Sequence, residues 1–151
     1  MTPEEQSAKL QLLLDFETLQ RLKSDYCELV DALIAKPDPI KLERLAQLFT
    51  PDAVLDFGTR LGRFEGHAGI KRLFGETLPK VRSWVWHSFQ NPIIDIRGDY
   101  ARGRWTLLAY VIKKDDLSRT PERVIGRYDD EFVRVDRGWC QKRLRFIFEP
   151  P

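Results

Sequence analysis

The chain is poor in the residues that would announce a chemistry on their own. Of its 151 residues only two are cysteine (Cys27, Cys140) and two are histidine (His67, His87). No CxxC and no Cys/His ligand spacing occurs, which excludes a structural zinc site, and no metal or cofactor is expected. The two thiols lie in unrelated segments and are expected to be free, buried fillers in a reducing cytoplasm. No glycine-rich loop follows a strand pattern, so neither a Rossmann nor a P-loop reading has a foothold. No apolar run approaches a membrane span, and the polar start MTPEEQSAKLQ does not read as a secretory signal. Charge of one sign is missing too. The 25 basic and 23 acidic residues are interspersed, net +2, leaving no electrostatic footprint for nucleic acid. The late arginines Arg134, Arg137, Arg143 and Arg145 read as a solvated sheet face, with a pocket arginine as the alternative. With no repeat, linker or low-complexity stretch, residues 1–151 read as a single domain.

What is present divides into two textures. From Leu12 to Ile34 the apolar positions Leu12, Phe16, Leu19, Leu22, Tyr26, Leu29, Val30 and Leu33 recur at helical spacing, and Pro37 ends the run. Asp38-Pro39 starts a second helix as cap and first residue, burying Ile40, Leu42, Leu45, Leu48 and Phe49. Thr50-Pro51-Asp52 is expected to break it. A short strand follows from Ala53 to Phe57, then a third, short helix around Ile70, Leu73 and Phe74 that stops near Pro79. From Val81 the period becomes two. The expected strands are Ser83 to Asn91, Ile93 to Arg97 beyond a break at Pro92, Tyr100 to Lys113, Arg123 to Val135, and Trp139 to Phe148. Helices first and a strand meander after imply an α+β fold, with a curved sheet closed around a small-molecule pocket.

Chemistry has few places to reside. His87 sits among aromatics in Trp84-Val85-Trp86-His87-Ser88-Phe89, where it is a satisfied core residue or a general acid–base group. Asp31 interrupts the apolar set Leu29 to Ile34 and is costly to bury without a partner, for which a histidine is the natural choice. Tyr26 and Asp31 differ by about 140° around a helix, so they share a cavity only if Asp31 lies near the helix end. Strand alternation puts Ala101, Gly103, Trp105, Leu107 and Ala109 on one face, and Gly126, Tyr128, Asp130 and Phe132 on another, both expected inward. Trp105 and Tyr128 are then pocket walls or core filler. His67 reads as an exposed turn residue.

The series Leu22-x3-Tyr26-x4-Asp31, Leu48-Phe49-Thr50-Pro51-Asp52-Ala53-Val54-Leu55-Asp56, Gly66-x3-Ile70, His87, Gly98-Asp99-x-Ala101, Tyr128-x-Asp130-Glu131-Phe132 and Gly138-Trp139 resembles the SnoaL-like group of the nuclear transport factor 2-like superfamily. The likeness runs from about residue 15 to residue 148. It implies a cone-shaped α+β barrel, commonly a homo-oligomer, with a pocket between the helices and the concave sheet. In lyase members of the scytalone dehydratase, bile-acid dehydratase and dehydrochlorinase type an Asp–His pair abstracts a proton while a nearby group leaves. Asp31 matches the acid, His87 the base, and Tyr26 a tyrosine near the leaving oxygen. A second pocket histidine of scytalone dehydratase falls near Trp105, a departure from that member.

The leading expectation is therefore a cofactor-independent lyase or isomerase acting on an apolar polyketide-, steroid- or terpenoid-like molecule. Asp31, His87 and Tyr26 are its catalytic candidates, and Trp105, Tyr128, Trp84, Trp86, Phe16 and Phe49 its substrate contacts. The competing readings are a ligand-binding protein without chemistry and an assembly subunit of the same fold. The face of Tyr100, Arg102, Arg104, Thr106, Leu108, Tyr110 and Ile112 suits a homodimer or homotrimer interface. Neither nucleic acid nor a membrane is an expected partner.

Overall fold

The computed structural model describes residues 1–150. Helix α1 (Pro3–Ala35) opens with a reciprocal cap, in which the Thr2 side chain accepts from the Glu5 amide and Glu5 accepts from the Thr2 amide. It begins nine residues earlier than the apolar run suggested. Its first turns stand free of the core, so Leu12 is exposed rather than buried, while Leu19, Leu22, Tyr26, Leu29, Val30 and Leu33 pack inward. Helix α2 (Pro39–Gln47) is capped by Asp38, whose carboxylate accepts from the Ile40 and Lys41 amides. Ile40 is exposed and Leu45 and Ala46 carry the packing, because nine residues give this helix only one buried stripe.

Thr50-Pro51-Asp52 does not end a helix; it lies within strand β1 (Phe49–Asp56). The proline is tolerated because the pairing of β1 with β6 skips from Phe49 to Val54, leaving the intervening residues off the ladder. Helix α3 (Gly58–Leu61) and strand β2 (Arg63–Glu65) fill the glycine-bounded stretch. Helix α4 (Gly66–Arg72) then runs through a π-helical turn (Leu73–Thr77) into α5 (Leu78–Val81). Pro79 is absorbed in the first turn of α5, where its missing N–H costs nothing, so the helical segment passes it.

Strands β3 (Arg82–Arg97), β4 (Tyr100–Lys113), β5 (Glu122–Val135) and β6 (Gly138–Phe148) follow. Pro92 does not split β3: a bulge between Gln90 and Ile93 accommodates it, with Asn91 at φ 52°. The sheet order is β2-β1-β6-β5-β4-β3, antiparallel except for the parallel β1–β6 pair. It is thus a mixed, six-stranded curved sheet with the helices packed on it, the α+β cone expected from the sequence. Alternation is clean on β4, where Ala101, Gly103, Trp105, Leu107 and Ala109 are buried, and on β5, where Gly126, Tyr128, Asp130 and Phe132 are buried. The two strand glycines make room for rings. A Cβ on Gly103 would fall 2.3 Å from the Trp105 ring, and one on Gly126 would fall 2.2 Å from Phe146.

One charged cluster ties α1 to the sheet. Arg134 donates to both Asp15 carboxylate oxygens at 2.8 and 2.6 Å, and the Trp139 indole donates to the same carboxylate at 3.1 Å. Among the described residues no helix is long and apolar enough to cross a membrane.

Candidate active site

The inner side of α1 presents Lys23, Tyr26, Cys27, Val30 and Asp31 to the sheet, at spacings of three and four residues. The divergence of Tyr26 from Asp31 is resolved as the helical geometry requires. Asp31 lies four residues from the helix end and reaches β3 at the flank, while Tyr26 lies deeper, against the cavity. Asp31 Oδ1 is in very close contact with His87 Nδ1, and Asp31 Oδ2 accepts from the His87 backbone amide at 3.2 Å. The carboxylate thereby fixes both the ring and the strand behind it. Nδ1–H donates to the acid, leaving Nε2 as the free ring nitrogen.

His87 lines a cavity between the helices and the concave sheet, together with Tyr26, Phe74, Leu107, Tyr128 and Phe146 among others. The cavity measures about 460 Å³ with its mouth, but only about 40 Å³ of it can hold the centre of a water-sized sphere. Its walls are close, and mostly aromatic or aliphatic. Tyr26 packs edge-on against Phe49, Phe74 and Tyr128 at ring separations of 5.9 to 6.4 Å, and Tyr128 lies 4.9 Å from Phe146. Burial pushes both phenols above the ordinary tyrosine range, so each stays a proton donor at neutral pH.

Of the aromatic substrate contacts expected from the sequence, only Tyr128 borders this cavity. Trp84 and Trp86 have the opposite parity to Val85 and His87 and fall on the outer face of β3, where Trp86 is 45% exposed and packs on Tyr110. Trp105 is buried beyond the cavity against Phe132. Phe49 stands behind Tyr26, fully buried, and Phe16 is half-buried on α1 away from the cavity. His67 is not an exposed turn residue. It is half-buried at the start of α4, with Nε2 donating to the Phe49 carbonyl at 2.9 Å. None of the late arginines lines the cavity: Arg134 holds Asp15, Arg137 donates to the Gln47 and Phe49 carbonyls, and Arg143 pairs with Glu131.

Two features of the site escaped the sequence reading. Lys23 and Asp130 form an ion pair of 2.6 Å with side chains 1% and 0% exposed, below the two tyrosines. Lys23 Nζ stands 3.7 Å from the Tyr128 ring centroid and 4.6 Å from that of Tyr26. Burial drives Lys23 down and Asp130 up to about 6, their mutual attraction opposing both shifts. The clue lay in position: Lys23 falls on the buried stripe of α1, four residues after Leu19, and Asp130 on the inward face of β5. The second is Cys27, whose sulfur lies with donor atoms of Asp31 and His87 inside a 4.8 Å group that could hold a cation. Such an ion would have to displace the Asp31–His87 contact and deprotonate a thiol that burial, with Asp31 nearby, pushes up to about 12.

The chain belongs to the SnoaL-like domain family, which matches residues 11–145. Solved structures place it in the wider nuclear transport factor 2-like fold. A "putative aromatic ring hydroxylase" from Novosphingobium aromaticivorans is 28% identical over 92% of each chain, with a TM-score of 0.76. A "putative scytalone dehydratase" from the same organism is 24% identical over 90% of this chain and 85% of its own, also at 0.76. A hexachlorocyclohexane dehydrochlorinase from Novosphingobium barchaimii is 20% identical over 93% and 90%, at 0.79. No curated protein sequence matches.

Proposed function

We propose that this protein is a cofactor-independent lyase or isomerase. His87, oriented by Asp31, takes a proton from an apolar small molecule bearing a hydroxyl or carbonyl group. The observation that carries the reading is the Asp31 contact with His87 Nδ1, His87 itself lining a cavity whose walls are mostly aromatic and aliphatic. A carboxylate there fixes the tautomer with Nε2 basic, and stabilises the imidazolium that forms when Nε2 accepts a proton. Tyr26 and Tyr128, both kept protonated by burial, can donate to a departing hydroxyl or to the oxygen of an enolate. Elimination of water or of chloride needs this set, a base on one side and a group that assists departure on the other. The names of the dehydratase and dehydrochlorinase neighbours fit it. A polyketide-, steroid- or terpenoid-like skeleton would match the apolar character of the walls, which must part to admit it, since the cavity as it stands is smaller than such a skeleton.

The test compares wild type, Asp31→Asn and His87→Gln for exchange of deuterium into an acidic C–H of bound hydroxylated ketones from those three classes. Wild type is expected to catalyse exchange, and each folded variant to lose about 10²–10⁴-fold in rate. Tight binding without exchange by wild type, with variants that only melt earlier, would make the pair a structural one and the protein a ligand carrier.

A further inference from the structure

The start of β3 breaks its own alternation. Val85, His87 and Phe89 face inward, so Arg82 would by parity point outward with Trp84 and Trp86. It does not, because the ladder slips: Arg82 pairs with Lys113 and Trp84 with Ile112, leaving Ser83 as an extra residue. A bulge of one residue turns the preceding side chain to the other face of the sheet. Arg82 therefore lines the cavity that His87 lines, and lines as well the wider hollow at its mouth, about 1310 Å³ against 460 Å³ when both are measured with their openings. It is the one charged side chain that borders both the inner cavity and this vestibule among the described residues.

The cation is half-buried and no carboxylate of the described residues pairs with it. Burial lowers its basicity, and the phenols of Tyr128 and Tyr26 beside it are neutral and give it no counter-charge. The other charges of the vestibule are already engaged or lie at its rim. Lys113 pairs with Glu122 at 3.2 Å, Lys114 donates to the Pro79 carbonyl at 2.9 Å, and Arg60 lies over the Phe148 ring at 4.8 Å. Lys80 and Asp115 complete the rim. A guanidinium half out of water, facing an apolar cavity with no acid of its own, lacks a planar anionic partner.

We infer that Arg82 is an anion-recognition residue at the throat of the cavity, and that the ligand carries a carboxylate on an otherwise apolar body. This deepens the lyase proposal by naming its substrate class, and rests on that reading for the chemistry alone. The carboxylate would meet Arg82, and the apolar body would extend past Tyr128 toward His87. Five residues of strand separate the two backbones by about 16 Å, so the charged and the reacting ends of the ligand are distinct.

The experiment measures binding of 1-naphthaleneacetate and of its neutral isostere 1-naphthaleneacetamide by calorimetry. Wild type is expected to bind the carboxylate about tenfold or more tightly than the amide. Arg82→Gln should remove that preference with the fold intact by thermal melting, Arg82→Lys should keep part of it, and the rim variant Lys80→Gln should keep it whole. Independently of any variant, the carboxylate but not the amide should protect Arg82 in wild type from phenylglyoxal, read by peptide mass spectrometry. No preference in wild type, a preference that survives Arg82→Gln, or no protection of Arg82 overturns the inference; absence of binding by either compound counts as no preference. The two proposals fail separately. Preference without deuterium exchange in any ligand leaves the anion site standing and the lyase reading refuted, and exchange without preference does the reverse.

Discussion

Replacing Lys23 by methionine keeps the length of the side chain and removes its charge. Asp130 is then left wholly buried, with the Arg145 amide at 3.3 Å as its one remaining hydrogen-bond donor. Breaking a buried pair on one side costs about 3–5 kcal/mol, because the surviving charge keeps its desolvation penalty without the attraction that offset it. For a chain of this size that is a drop in melting temperature of about 6–20 °C. The loss must depend on pH. Asp130 is raised to about 6 with Lys23 present, and loses its attractive partner without it, so its folded-state value rises further. A carboxyl bound more tightly to its proton in the folded state favours folding at low pH, and that advantage fades as pH rises through the folded value. Lys23→Met should therefore be least harmful near pH 5 and most harmful near pH 8. Asp130→Asn keeps an acceptor for the Arg145 amide but strands the ammonium, and should be destabilising by itself. The double variant should recover most of the loss, with a coupling energy of about 2 kcal/mol or more. Urea melts of the four proteins at pH 5, 6.5 and 8 measure this cycle. A Lys23→Met protein as stable as wild type at pH 8, or a double variant no better than the sum of the single ones, would refute the reasoning.

Two further outcomes follow from the packing. Asp15 is held down at about 2, chiefly by its hydrogen bonds from Arg134, so the stability it lends is complete above its unfolded value near 4 and lost as pH falls toward 2; Asp15→Asn should cost about 1.5–3 kcal/mol at pH 7 in urea melts and flatten the acid limb. The outer face of β3 and β4, with Trp86 over Tyr110 and Tyr100 39% exposed, fits contact between copies, so a dimer or trimer is expected by light scattering, and a clean monomer at micromolar concentration would refute it.

Periodicity decided the bodies of α1 and α2, the strand texture from Val81 onward, and the parity of β4 and β5, because those signals are local: neighbouring residues carry them whatever lies across the molecule. The acid interrupting an apolar helix end, and a histidine among aromatics, were legible for the same reason, and the family resemblance joined them across 56 residues. Phase was not legible. Trp84 and Trp86 alternate with Val85 and His87 in any strand, and which pair faces inward was settled only when α1 covered one face of β3. A proline inside a strand reads locally as a stop, yet β1 carries Pro51 where its ladder skips and β3 carries Pro92 in a bulge, since pairing is a property of two strands. The Lys23–Asp130 pair joins residues 107 apart in the chain, whose burial depends on the closed wall of aromatics around them. Arg82 reaches the cavity through a single extra residue in the β3–β4 ladder, a slip that exists only when two strands meet. Local composition set the elements of this protein, and the charges inside its cavity were placed by their assembly, because burial and register belong to the folded pair and not to either segment alone.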